Sequence, residues 1–391
     1  MTVRWVLWAA GVGLLVLLSC FDIAAGGAQA RGAGAGQVRD ETAGFQAVSC
    51  WSKVSCVAVG FSSPDDLASL MYPLAESGHG SRWSIVSAGR VGPWSGLFGV
   101  SCMKSGRCLA VGYSGKPGSV PVTTPIARTL IESSRTGGPW SVVRSPSPGT
   151  DSRLTGVSCL TTNWCVAVGQ AGSSVLIEQW QGSRWVVVSG VKQPGTLQAV
   201  SCTSSRDCVA VGSTGPETLF ERFTGATWSR VASPNPSGFY STLSGVSCVN
   251  DAACIAVGYT YISKSVGQEP LIERYSNGAV MLEASPPLQR GGQLNSNTCS
   301  SQSWCIAVGV NFSGMDGANL AMAYRSGSWA LAPDVSFPFS SQPGLRSVSC
   351  TQPMSCVAVG SYFNQTRQHY VTAIAEYRLS TWSTVPSPNP S

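Results

Sequence analysis

Fourteen of the fifteen cysteines stand in pairs with five residues between the two members. The pairs are Cys50/Cys56, Cys102/Cys108, Cys159/Cys165, Cys202/Cys208, Cys248/Cys254, Cys299/Cys305 and Cys350/Cys356. Thiols at such spacing could bind metal or form disulfides. Metal would need ligands from elsewhere, and the chain has only two His and no Cys-x-x-Cys knuckle. Seven disulfides are therefore expected, and this cysteine usage is high for a reducing cytosol. A second set, Glu76, Glu132, Glu178, Glu221 and Glu273, invites acid–base chemistry. Two further units carry Met322 and Ala375 at that position, Ala375 being followed by Glu376. A structural role, with an arginine or backbone donor as partner, is expected. Scarce histidine weakens Ser-His-Asp and Cys-His schemes, and no phosphate-cradling glycine loop stands between a strand and a helix.

The elements that hold these residues repeat. Each first cysteine ends a short apolar strand, and each second cysteine opens a Cys-x-Ala-Val-Gly. Five residues before each first cysteine stands Phe45, Leu97, Leu154, Leu197, Leu243, Leu294 or Leu345. These divide the chain into units 45–96, 97–153, 154–196, 197–242, 243–293, 294–344 and 345–391. Each unit reads as four short β-branched or aromatic strands bounded by Gly, Ser, Asn and Pro, with no sustained helical period. Such a repeat predicts an all-β fold, a seven-bladed β-propeller of four-stranded antiparallel blades with one disulfide per blade. Small Ala and Gly suit the crowding near the axis. Trp83, Trp140, Trp185, Trp228, Trp329 and Trp382 open the fourth strands, where packing between blades is expected rather than ligand stacking. Pro146, Pro148, Pro234, Pro236, Pro388 and Pro390 follow fourth strands and are expected to blunt the outer edge.

The units resemble a group of secreted propeller proteins of high-GC Gram-positive bacteria built from Gly-Val-Ser-Cys … Cys-x-Ala-Val-Gly repeats. The resemblance spans 45–391 and implies the fold; the group is largely without assigned activity. A fainter similarity to Asp-box propellers rests on Gly80-Ser81-Arg82-Trp83 and Gly225-Ala226-Thr227-Trp228. The aspartate that names that motif is missing, so no sialidase-type function carries over.

Repetition marks scaffold, so function is expected where units differ. The cysteines flank the turn between first and second strands, and that turn has constant length. One face is therefore expected to be uniform and clipped by disulfides. The link from second to third strand varies from six residues in blades three and four to seventeen in blade two. These turns open on opposite faces, and loops on a rigid scaffold commonly carry function. Ligand-binding candidates on the variable face are Tyr259 and Tyr261 in blade five and Phe312 and Asp316 in blade six. Blade seven adds Tyr362, Asn364, Arg367, His369 and Tyr370. Asn295 and Asn297 break the inner-strand pattern of blade six. Lys264, Met315, Phe363, Gln365, Asp65, Asp66 and Tyr72 lie in the same links. Aromatic rings mixed with amides and a guanidinium suit a glycan or an extended peptide. The residues following the unit starts, Gln46, Phe98, Thr155, Gln198, Ser244, Asn295 and Arg346, include no carboxylate, whereas glycan cleavage usually needs two.

Arg4, the apolar run from Trp5 to Cys20 and Ala28-Gln29-Ala30 fit a secretory signal over 1–30, followed by a Gly/Ala-rich linker over 31–44. Two alternatives stand beside it: a lipoprotein signal with Cys20 lipidated, and an uncleaved anchor. All three place the folded part outside the cytoplasm, with the membrane met only through the N-terminal segment. Charged residues are 11% of the chain, against about 25% in ordinary globular proteins. The net charge of +6 is spread without basic runs, so no nucleic-acid partner is expected. The expectation is a non-catalytic, monomeric binding or scaffold propeller of the cell envelope or extracellular space. Its partner would be a glycan or an envelope or extracellular protein, and it would need neither metal nor cofactor. The alternative is a glycan-acting hydrolase or lyase using loop carboxylates such as Asp65, Asp66 or Asp316.

Overall fold

The computed structural model describes residues 41–390 except 65–69, 90, 117–125, 150, 189–192, 237, 264–266, 313–316 and 338–339. The targeting segment with Cys20, and the candidates Asp65, Asp66, Lys264, Met315 and Asp316, lie outside the described residues. Within them, twenty-eight strands form seven four-stranded antiparallel sheets, each ordered as its strands follow in sequence. Blade three shows the pattern, with strands at Ser152–Thr161, Trp164–Ala171, Ser174–Gln181 and Trp185–Val187, from the axis outward. Each inner strand packs on the next blade's inner strand, and that of blade seven packs on blade one, closing the ring. One apolar cluster fills each of the seven junctions. No blade mixes the two chain ends: blade one uses Thr42–Ile85 and blade seven Ser340–Thr384.

The repeat residues each have a physical task. All seven cysteine pairs are disulfides between directly opposed residues of the first hairpin, with Cα–Cα distances of 3.9–4.1 Å. The pairing is as expected, and each cross-link also reaches into the core. The first cysteine of each pair is half-buried, whereas the second is buried in every blade. Cys56, Cys108, Cys165, Cys208, Cys254, Cys305 and Cys356 each belong to the apolar cluster of a junction. The cause is strand order. A second-strand residue is covered by strands on both sides, as Cys56 is by Cys50 and Gly78, and Cys108 by Cys102 and Ser134. Cys165 lies between Cys159 and Trp180, and Cys356 between Cys350 and Tyr377. The second cysteines are therefore core residues as well as cross-links.

Every inner strand bulges immediately after its apolar anchor. The bulge presses inner-strand backbone onto the glycine of Cys-x-Ala-Val-Gly. A Cβ at Gly60, Gly112, Gly169, Gly212, Gly258, Gly309 or Gly360 would sit only 1.9–2.0 Å from a carbonyl oxygen of the inner strand. Only glycine fits there.

The serine before each first cysteine laces blades together. Ser49, Ser101, Ser158, Ser201, Ser247 and Ser349 each accept a hydrogen bond from the cysteine N–H of the next blade, at 2.9–3.1 Å. Blade six has Thr298 at that position, and Ser296 instead accepts from the Val348 N–H at 3.3 Å. The tryptophans pack between blades as expected: Trp140, Trp185 and Trp329 are buried in the junctions of blades one–two, two–three and five–six.

The third-strand glutamates have structural partners: the expected backbone donor is found at Glu132, and the others take hydrogen bonds from hydroxyl or amide groups rather than from arginines. Each meets the segment that follows the fourth strand of the preceding blade. Ser387 donates to Glu76 at 2.8 Å, Ser145 to Glu178 at 2.8 Å and Ser233 to Glu273 at 2.7 Å. Glu132 accepts the Gly89 N–H at 2.9 Å, and Glu221 accepts the Gln193 amide. The proline-rich tails therefore do more than blunt an edge. Asn235 and Asn389, at positive φ between prolines, accept both the N–H and the hydroxyl of Thr218 and Thr372. Each tail is folded back so that its serine reaches the neighbouring blade. Neutral hydroxyls suit this site because burial favours the uncharged form of each carboxyl. Burial pushes Glu76 and Glu178 up to about 7, with the serine hydroxyls opposing, and raises Glu132, Glu221 and Glu273 as well.

Candidate functional site

The disulfide hairpins lie toward one face. Inner strands begin, second strands end and third strands begin on the other, where the units differ. In blades five and seven the second-to-third-strand links are mostly strand. Pairing runs out to Ser263↔Gly267 and Asn364↔His369, so Tyr259, Tyr261, Tyr362 and Tyr370 stand on strands. Ladder hydrogen bonds thus fix residues that the repeat pattern alone leaves in loops.

Three aromatic groups decorate this face, and they differ in exposure. Between blades one and two, Phe98 stacks on Tyr113 at 5.3 Å, with Trp94 beside them and the Arg153 guanidinium 5.0 Å above the Tyr113 ring. Phe61 and Tyr113 are buried, so this group is a packed core. In blade seven, Tyr362 stacks at 5.0 Å on buried Phe337, and Phe363 meets Tyr370 edge-on at 5.5 Å. Blade five is open. Tyr240 and Tyr261 lie parallel at 5.3 Å, Phe239 flanks Tyr261 at 5.9 Å, and Tyr259 meets Tyr240 edge-on at 6.1 Å. Phe239 is 66% exposed, and the three tyrosines are half-buried. Burial, followed by Tyr240, pushes the Tyr259 phenol up to about 12, so it remains a neutral hydrogen-bonding group.

The remaining candidates are scattered in role. Asn364 organises the blade-seven turn, accepting the N–H groups of Thr366 and Arg367 at 3.0 and 2.9 Å. Arg367 is exposed at the tip, while His369 is 5% exposed with Nδ1 2.9 Å from the Arg367 carbonyl oxygen. The Tyr370 hydroxyl donates to Gln342. Phe312 is half-buried and its N–H donates to the Gly291 carbonyl at 3.1 Å. Asn297 is buried and donates to the Ile255 carbonyl of blade five at 3.0 Å, inside the junction rather than at a ligand surface. Asn295 occupies the inner-strand bulge and donates to the Leu345 carbonyl of blade seven at 2.7 Å. The structure brings Tyr259 and Tyr261 together with two rings outside the sequence-derived candidates, Phe239 and Tyr240. Their signal is two adjacent aromatics opening an inner strand, a place outside the variable link.

Asp151 is paired with Arg153 at 3.1 Å and Glu217 with Arg230 at 3.0 Å. A cleft of about 270 Å³ lies on the outer rim between blades five and six, lined by Glu283, Tyr324 and Trp329. Glu283 there is occupied, paired with Arg274 and accepting the Trp329 indole N–H at 2.7 Å.

No protein-family model and no curated protein matches the chain. Solved structures do. The WD40 propeller domain of Doa1 is similar with a TM-score of 0.52 and 10% identity, over 90% of this chain and 95% of that one. An ulvan lyase, a polysaccharide lyase, bound to a glucuronate–sulfated rhamnose fragment gives 0.56 and 9%, over 90% and 97%. Virginiamycin B lyase from Staphylococcus aureus gives 0.50 and 10%, over 75% and 84%. At such identity the shared property is the propeller fold.

Proposed function

We propose that the protein is an exported, non-catalytic propeller of the cell envelope or extracellular space that binds a glycan on its variable face. One observation carries this reading: the open shelf of Phe239, Tyr240, Tyr259 and Tyr261 in blade five. An exposed flat ring beside half-buried ones can stack on a sugar face, and neighbouring phenols and amides supply directed hydrogen bonds. Seven disulfides fit an oxidising compartment, and the basic, apolar and small-residue order of the first thirty residues fits export. Glycan or cell-wall fractions presented to the purified oxidised protein test the reading. Binding is expected, and Phe239→Ala and Tyr261→Ala should each weaken it about tenfold while leaving the melting temperature nearly unchanged. Retention of no fraction, or binding unaffected by both substitutions, would remove it.

A further inference from the structure

Each inner strand bulges at the same register, and the seven bulge residues ring the axis: Gln46, Phe98, Thr155, Gln198, Ser244, Asn295 and Arg346. Several are already engaged. Thr155 donates to the Leu197 carbonyl of the next blade at 2.6 Å, and Asn295 likewise to Leu345. Phe98 stacks on Tyr113. Arg346 is the ring's only charged member, and it forms neither a hydrogen bond nor an ion pair among the described residues. Its surface is open to water, yet enclosure by protein lowers its pKa, with the Tyr370 phenol opposing. A guanidinium stays protonated in such surroundings. Two more cations, Arg290 and Arg367, are exposed on the same face in the sector of blades five to seven, and neither joins an ion pair among the described residues. Glu269, the carboxyl at the start of the blade-five third strand, has its pKa raised by burial.

We propose that Arg346 is an anion-binding position at the axis and that the ligand is an acidic glycan, held through a carboxylate or sulfate. This rests on the glycan reading above and adds the charge of the ligand. The planar guanidinium fork matches both anions in bidentate geometry. A cation with no ionic partner among the described residues attracts an entering anion. Tyr370, held by Gln342, adds hydrogen-bonding groups close to the guanidinium.

The test is titration of the full-length oxidised protein with three size-matched oligosaccharides: one carboxylated, one sulfated and one neutral. Blades one and four carry glutamine at this bulge, which makes Arg346→Gln the fold-compatible variant. The charged ligands should bind at least about tenfold tighter than the neutral one, with the preference shrinking at about 0.5 M salt. Arg346→Gln should erase that preference and leave neutral binding unchanged. Arg346→Lys should keep part of it, because the charge remains and the fork is lost. The carboxylated and sulfated arms identify which anion is taken. Equal binding of charged ligands by the wild type and Arg346→Gln would overturn the proposal. If Phe239→Ala also abolished binding in that case, the shelf would stand and the axial assignment alone would fall. Binding of none of the three would overturn both.

Discussion

Gly212 and Ser201 show how single residues hold this scaffold. A methyl at Gly212 would lie 1.9 Å from the Thr196 carbonyl oxygen, and backbone cannot yield that far. Gly212→Ala should therefore cost more than about 3 kcal/mol or prevent folding. Gly172→Ala is the control: Gly172 has φ of 59° but open space around it, so only about 1 kcal/mol of backbone strain is expected. Chemical denaturation of both variants checks the contrast. Ser201→Ala would leave the Cys248 N–H without its acceptor and should cost about 1 kcal/mol. The glycines and the cysteine pairing were legible because their constraint is local to one hairpin, and hairpin spacing is written in the sequence. The burial of Cys56, Cys165 and their equivalents was not, since it depends on the blade that packs against them. The serines recur just as regularly. Their acceptor role could not be read, because the donor belongs to the next blade, some fifty residues away. Arg346 was visible only as a ring position without carboxylate; its lack of a partner emerges when the neighbours are placed.

The glutamate and the proline-rich tail that meets it act as one element across each junction. Glu76 and Glu178 are fully buried, and their pKa is raised from an ordinary 4.5 to about 7. The folded state thus holds protons that the unfolded chain releases. The associated stability is complete below about pH 4.5 and is lost as pH rises through about 7, on the order of 3 kcal/mol per site at most. The melting temperature should fall between pH 5 and pH 8, and Glu76→Gln with Glu178→Gln should flatten the profile; an unchanged slope would refute the assignment. The disulfides act within single hairpins. Replacing Cys202 and Cys208 by serine should cost about 2 kcal/mol for the lost cross-link, read as a shift in denaturant midpoint. The third-strand glutamates were recognised as scaffold from their recurrence. Of the two expected partners, the backbone donor is found at Glu132, and among the described residues no arginine donates a hydrogen bond to the five, which receive hydroxyl or amide donors elsewhere.

At the scale of the whole ring, closure depends on one seam. The joint between blades seven and one is held by Ser347 accepting from the Val48 N–H, Ser349 accepting from the Cys50 N–H, Ser387 donating to Glu76, and one apolar cluster. Truncation after Val385 removes Ser387 and Asn389, so it should lower the melting temperature more than truncation after Asn389, which spares both. The seven-fold architecture could be read before any coordinates, because blade number is a count of repeats. The proposed binding sector could be read only in part, because the exposure of Phe239 and its stacking with Tyr240 and Tyr261 depend on how the inner strand of blade five lies against its second strand. The order of the cross-links carries one more consequence. Every cysteine of the propeller is joined to its immediate neighbour among the cysteines along the chain. Within the propeller, a chain oxidised progressively from residue 45 onward would meet the correct thiol first each time, a pairing order that reduces the need for reshuffling.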